Sequence, residues 1–303
     1  MSAACFAALA LLSQATAQFR VSTEVVQVDV FVGENGRAIR GLESAEFELY
    51  DDGRLQSIDA VSIESLKLNV VLALDTSASV KGPHLAYLRN AARRFLGEFS
   101  PVDRAALLTF SHHLSLRSPL TSEVPSLQSA LSGVEPGGAT SWHDALFAGL
   151  ELLEPVRERP LVLLFTDGAD TYSWLSEDKM LPLVRRSNAV IYAVARSEET
   201  AMPDVRTTVG QARWREEQWQ RAERTRLLRE LSEESGGRLL ETRSSDRLEA
   251  LFLEILAEMK TRYVLLFRPE PPIREGWHDL EVRVKRKGAT VEARRGYYYE
   301  ANR

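Results

Sequence analysis

Residues 68–79 read LNVVLALDTSAS. The first seven form a nearly continuous apolar run, which is how a strand reads when helices cover both of its faces. The run stops at Asp75, and hydroxyls follow on alternate residues at Ser77 and Ser79. Alternate side chains of an extended loop can face one point. One strand end therefore gathers a carboxylate and two hydroxyls.

Outward from this stretch the chain alternates. Residues 84–99 place Leu85, Leu88, Ala92, Phe95, Leu96 and Phe99 at helical spacing. AALLTF at 105–110 is a second buried strand, and LSLRSPL at 114–120 reads as an edge strand. Residues 142–153 follow as a helix with Ala145, Leu146, Leu150 and Leu153 inward. LVLLFT at 161–166 is a third buried strand, residues 181–187 a helix, and AVIYAV at 189–194 a fourth buried strand. Strands alternating with helices predict an α/β fold with a doubly wound, mostly parallel sheet. In such a sheet the loops that follow strands gather at the carboxyl edge.

Two further loops carry oxygen. Gly137-Gly138-Ala139-Thr140 directly precedes a helix, and Thr166-Asp167-Gly168 ends the third buried strand. With the first loop they give two carboxylates and three hydroxyls: Asp75, Ser77, Ser79, Thr140 and Asp167. An all-oxygen set with few carboxylates suits a hard divalent cation, Mg²⁺ first, with Mn²⁺ or Ca²⁺ as alternatives. Two carboxylates balance such an ion. If only one ligates directly, the ion keeps net positive character. Mg²⁺ also retains waters in its shell, and one such position can accept a carboxylate from a partner protein.

DTSAS at 75–79 resembles the DxSxS of the metal-ion-dependent adhesion site in von Willebrand factor type A domains. GGAT followed by Asp144-Ala145-Leu146 is similar to the second loop of that family, which supplies a threonine. TDG at 166–168 is similar to the third, which supplies an aspartate. The resemblance covers residues 66–262. It implies hydroxyl ligands from Ser77, Ser79 and Thr140, Asp75 bound mostly through water, and Asp167 bound directly or through water. It also implies a protein-binding module, not an enzyme, that engages an Asp or Glu of its partner.

The flanks read as β. Residues 20–33, RVSTEVVQVDVFVG, place Val26, Val28, Val30 and Val32 on one face, and Glu34-Asn35-Gly36 is a tight-hairpin signal. AEFELY at 45–50, the turn Asp51-Asp52-Gly53 and QSIDAVSIE follow. After a last amphipathic helix over 248–259 come YVLLF, HDLEVRVKR and TVEARRGYYY. Both flanks are similar to the segments around the A domain in a bacterial, Acidobacteria-type subgroup of related proteins. Residues 18–65 and 263–303 are expected to pair into one small β module. The departure from the family is the charge-rich stretch 197–226, longer than a minimal connection. Residues 211–234 read as one long helix containing Trp214 and Trp219. Five residues apart, the two indoles diverge by about 140° and make no single stripe.

Residues 3–12, AACFAALALL, have the length of a signal-peptide core, and Ala15-Thr16-Ala17 supplies the cleavage pattern. Residues 1–17 are thus expected to be removed, and the mature protein to be secreted or periplasmic. Cys5, the single cysteine of the sequence, falls in that segment, so neither disulfide nor thiol chemistry is expected. No later stretch reaches roughly 18 apolar residues, so no transmembrane segment is expected after cleavage. Lys and Arg number 38 against 43 Asp and Glu, a net charge of −5, which gives no electrostatic case for nucleic acid.

Near the three loops, Asp144 reads as an acid at the positive end of a helix and Asp170 as part of a surface loop. Trp142 and Tyr172 border the second and third loops, and rim and packing roles are both open for them. His112, His113 and His143 lack metal-ligand spacing. A haloacid-dehalogenase-like phosphotransferase needs a second acid two residues after the first, where Ser77 stands. No G-x-S-x-G is present for a hydrolase, and no P-loop or strand-borne G-x-G-x-x-G for a nucleotide enzyme. The rival to metal-dependent binding is a metal-free structural or envelope-assembly scaffold.

Overall fold

In the computed structural model, residues 25–63, 67–156, 158–167, 170–196, 207–270 and 273–300 are described. The segment read as a signal peptide, Gly168, and residues 197–206 of the charge-rich stretch lie outside them.

The chain opens with strands β1 (Val26–Glu34), β2 (Arg37–Ala38), β3 (Phe47–Asp51), β4 (Arg54–Gln56) and β5 (Ile58–Ser62). Then come β6 (Asn69–Asp75), α1 (Pro83–Gly97), β7 (Arg104–Phe110), β8 (Leu114–Thr121), α2 (Val124–Ser132), α3 (Trp142–Leu153) and β9 (Pro160–Thr166). These are followed by α4 (Glu177–Arg186), β10 (Val190–Arg196), α5 (Thr208–Glu234), β11 (Leu239–Thr242) and α6 (Leu248–Met259). The chain closes with β12 (Tyr263–Phe267), β13 (Gly276–Val284), β14 (Thr290–Ala293) and β15 (Gly296–Tyr299).

The central sheet has the order β11-β10-β9-β6-β7-β8. Its first five strands run parallel and β8 lies antiparallel on the edge beside β7. The fold is therefore α/β with a mostly parallel sheet. Side chains on successive residues of β6 go to opposite faces, as strand geometry requires. Val70, Leu72 and Leu74 pack with residues of α1, α2 and α6, and Val71 and Ala73 with residues of α3, α4 and α5. Every residue of β6 and β9 is buried, which explains the unbroken apolar runs. From β6 the chain moves to β7 on one side; from β9 it moves to β10 on the other. The neighbours β6 and β9 thus mark the topological switch point, where a doubly wound sheet opens a crevice at its carboxyl edge.

The remaining strands form two antiparallel sheets, β14-β1-β12-β5 and β15-β13-β3-β4, with β2 paired to β1. Val28, Val30, Val32, Leu265 and Phe267 of one pack against Phe47, Leu49, Leu280 and Tyr297 of the other. The β1–β2 turn places Asn35 at φ 51° and Gly36 at φ 74°, the left-handed pair that a tight hairpin needs.

Three differences from the sequence reading are local. TVEARRGYYY is not one strand but two, β14 and β15, which lie in different sheets. Helix α2 was not expected; Pro125 in its first turn and Leu127 and Leu131 at i and i+4 were its only marks. Helix α4 starts at Glu177, with Glu177 and Asp178 in its first turn, where acids favour the positive end of the helix dipole. Pro182 therefore sits inside the helix, not at its start.

Candidate metal centre

The switch point brings the first and third oxygen-bearing loops side by side. Asp75, the last residue of β6, is fully buried. Its Oδ1 accepts the Ser77 N–H at 2.8 Å and its Oδ2 accepts the Thr166 hydroxyl at 2.8 Å. Ser77 Oγ lies 3.0 Å from Ser79 Oγ, and the Ser79 hydroxyl donates to Asp167 Oδ1 at 2.7 Å. Asp75, Ser77, Ser79 and Asp167 thus share one hydrogen-bonded chain. It runs from the buried end of β6 to Ser79, which is exposed.

The second loop is held between the other two by backbone. Ala78 N–H donates to Gly138 O at 3.0 Å and Gly137 N–H to Thr76 O at 2.7 Å. Thr140 O accepts the N–H groups of Thr171 and Tyr172 at 2.9 and 3.0 Å. Thr140 is buried, and its hydroxyl makes no hydrogen bond to the other four residues among the described residues. Gly138 is required here: its φ is +85°, and a Cβ would lie 1.7 Å from His112 Nδ1.

Burial pushes the Asp75 carboxyl up to about 6, and the negative charge of Asp167 pushes the same way; hydrogen bonds from Ser77 and Thr166 act against both. Two carboxylates close together in a dry site repel each other, and a cation relieves that repulsion. The chain supplies one cation itself. Arg196 Nη2 donates to Asp167 Oδ2 at 2.9 Å, with the arginine side chain 5% and the aspartate side chain 0% exposed. The register explains the meeting: Ala195 on β10 pairs with Thr166 on β9, so the next residues are neighbours. Nothing in the sequence marked Arg196 apart from its place at a strand end.

Two carboxylates fix the backbone that follows the third loop. Asp144 accepts the N–H groups of Trp174 and Leu175, each at 3.0 Å. Asp170 accepts from His143 N–H at 3.0 Å and from the Ser173 N–H and hydroxyl at 3.0 and 2.6 Å. Asp144 and Asp170 therefore clamp residues 170–175 to the start of α3. Tyr172 and Trp174 project from that clamped loop, Trp174 with 92% of its surface exposed. Trp142 is not on this rim: it is buried in the core with Ala145 and Leu146, because it opens α3 on the inward face.

One other polar cluster among the described residues, unmarked by any spacing in the sequence, gathers around His278. His278 Nδ1 lies 3.1 Å from Asp51 Oδ1 and 3.2 Å from Asp52 Oδ2, and its Nε2 lies 2.7 Å from Arg274 O. Tyr297 donates to Asp51, and Arg274 pairs with Asp52. The coordinating atoms are already engaged, so the cluster ties the β3–β4 turn to β13.

The five oxygen donors fit a hard divalent ion by their chemistry: hydroxyls and carboxylates only. Comparison with known proteins bears on the fold. Residues 70–169 match the family model of the von Willebrand factor type A domain. Inter-alpha-trypsin inhibitor heavy chain H4 of Bos taurus is 28% identical over 123 residues, 36% of this chain and 13% of that protein. Heavy chain H1 of Homo sapiens is 24% identical over 139 residues, 42% of this chain and 15% of that protein. The chain thus spans about a seventh of these relatives. Among solved structures, von Willebrand factor type A from Catenulispora acidiphila is similar in fold, with a TM-score of 0.50 at 12% identity, covering 90% of this chain and 73% of that one.

Proposed function

Because the chain carries a von Willebrand factor type A domain, a protein-interaction module, we propose that it binds a protein partner through a divalent cation at the carboxyl edge of the central sheet. The observation that carries this reading is the hydrogen-bonded chain from Asp75 through Ser77 and Ser79 to Asp167 at the switch point. In this reading Ser77, Ser79 and Thr140 give hydroxyl oxygens, Asp75 acts mostly through water, and Asp167 binds directly or through water. Mg²⁺ is the expected ion, with Mn²⁺ or Ca²⁺ as alternatives. The bound ion supplies a positive centre that a carboxylate can complete. The partner therefore presents an Asp or Glu. Tyr172 and Trp174, exposed on the clamped loop, offer aromatic surface beside it, the residue type that dominates binding hot spots.

The reading places the A domain at 66–262, flanked by 18–65 and 263–303, and the mature chain outside the cytoplasm after loss of residues 1–17. No helix among the described residues is long and apolar enough to cross a membrane.

A metal-free scaffold is the second reading, and the Arg196–Asp167 ion pair favours it, since it satisfies one carboxylate without a metal. Thermal melts in Mg²⁺, Mn²⁺ and EDTA separate the two. A ligand at 100 times its dissociation constant stabilises the folded state by about 2.7 kcal/mol, which is roughly 5–10 °C for a domain of this size. The expected result is a concentration-dependent rise in wild type that Asp75→Ala abolishes. A melting point indifferent to all three additions supports the scaffold.

A further inference from the structure

Asp167 faces two groups of this chain. The Ser79 hydroxyl donates to Oδ1, and Arg196 donates to Oδ2. The hydroxyl belongs with the donor set, whereas the guanidinium does not: it is a permanent charge of the same sign as any metal. Both members of the ion pair are buried, so solvent screens them little. The pairing is set by strand register, because Arg196 ends β10 beside the end of β9. Yet the hydrogen bond to Asp167 is the only one Arg196 makes among the described residues, and its Nε has no partner among them. Among the described residues, one hydrogen bond holds the group. Beside it lies a cavity of about 450 Å³ lined by Arg196 together with Ser79, His84, Tyr87 and Arg243, which gives a displaced side chain room.

We propose that Arg196 is a built-in competitor of the metal: it holds Asp167 when the ion is absent, and its charge weakens metal binding. This rests on the metal-dependent reading above. It differs from a merely structural ion pair in its sign. Loss of a structural partner leaves metal affinity unchanged or lower. Loss of a competitor raises it, because two cations no longer oppose each other across one carboxylate.

The test is calorimetric titration of MgCl₂ and MnCl₂ into the full chain as wild type, Arg196→Gln and Arg196→Lys. Arg196→Gln is expected to bind roughly tenfold tighter or more. Arg196→Lys, which keeps the charge, is expected to stay near wild type. Binding by Arg196→Gln where wild type shows none also supports the proposal. Equal or weaker binding by Arg196→Gln, with wild type binding normally, overturns the proposal and leaves the metal reading standing. Binding by neither removes both. Should Arg196→Gln not fold, the wild-type Arg196 Nε–H resonance gives the answer. It is expected to shift as Mg²⁺ saturates the protein, and a resonance that stays in place overturns the proposal.

Discussion

Asp75 shows how a single side chain can be costly to the fold and useful to the site. Its carboxyl stands at about 6, above the ordinary 3.8, chiefly through burial. A carboxyl raised in the folded state holds its proton more tightly than in the unfolded chain. The stability this group contributes is therefore complete below 3.8 and is lost as pH rises through 6. The loss at neutral pH is on the order of 3 kcal/mol. In EDTA, urea-unfolding free energies of wild type should fall between pH 4 and 7 at this group, and Asp75→Asn should flatten that fall. Identical slopes would contradict the assignment. At this scale the sequence was informative where a residue type sat at a strand end in a spaced pattern, as in Asp75, Ser77 and Ser79. It was silent on Arg196, because one arginine at the end of a strand has no spacing to read. It left Trp142 open between rim and core, since proximity in sequence to Thr140 says nothing of which face of α3 the indole takes.

Among the elements, the loop from 170 to 175 is the one whose order matters to binding. Its backbone is fixed by carboxylates at the start of α3 and within the loop, not by its own hydrogen bonds alone. Asp144→Ala leaves the N–H groups of Trp174 and Leu175 without their acceptor, a loss of about 0.5–1.5 kcal/mol for each hydrogen bond. Hydrogen exchange at these two amides should accelerate while the amides of β6 and β9 keep their protection; unchanged exchange at Trp174 and Leu175 would show that the clamp is not needed. Asp144 was read as a helix-dipole acid, and its acceptor role could not be seen because its partners lie about thirty residues away. The strands were readable because buried runs differ sharply from amphipathic helices. Helix α2 was missed because nine residues with two inward leucines make a weak period. The long helix α5 shows why composition misleads: its last turns pack Leu227, Leu228 and Leu231 into the core, while Trp214 and Trp219 stay exposed.

Across the whole molecule, the β flanks and the central sheet meet at Arg262. It is fully buried and donates to the carbonyls of Asp29, Gly236 and Glu292 and to the Tyr192 hydroxyl. Glu258 lies 3.6 Å away, accepts the Tyr192 hydroxyl, and is paired more closely with Arg238 at 2.8 Å. One side chain thus ties β1 and β14 to β10, α6 and the end of α5. Replacing it with an uncharged residue leaves the carbonyls of Asp29, Gly236 and Glu292 without its guanidinium, a loss of about 1–3 kcal/mol for a buried acceptor left unsatisfied, while Glu258 keeps Arg238. Arg262→Met should lower the unfolding free energy measured in urea by that amount or more, and a change below about 1 kcal/mol, the scale of a surface pair, would contradict the joint. Nothing in the sequence near Arg262 announces this, because its partners come from five separate segments. The strand order of the central sheet was hidden for the same reason: three loops could be named one by one, but their convergence follows from β6 and β9 being neighbours. If this convergence makes a cation site, a crystal soaked in Mn²⁺ will reveal it by anomalous scattering. The expected peak is bounded by Ser77, Ser79, Thr140 and Asp167. A crystal with no peak there, or with its peak at Asp51, Asp52 and His278 instead, would contradict it.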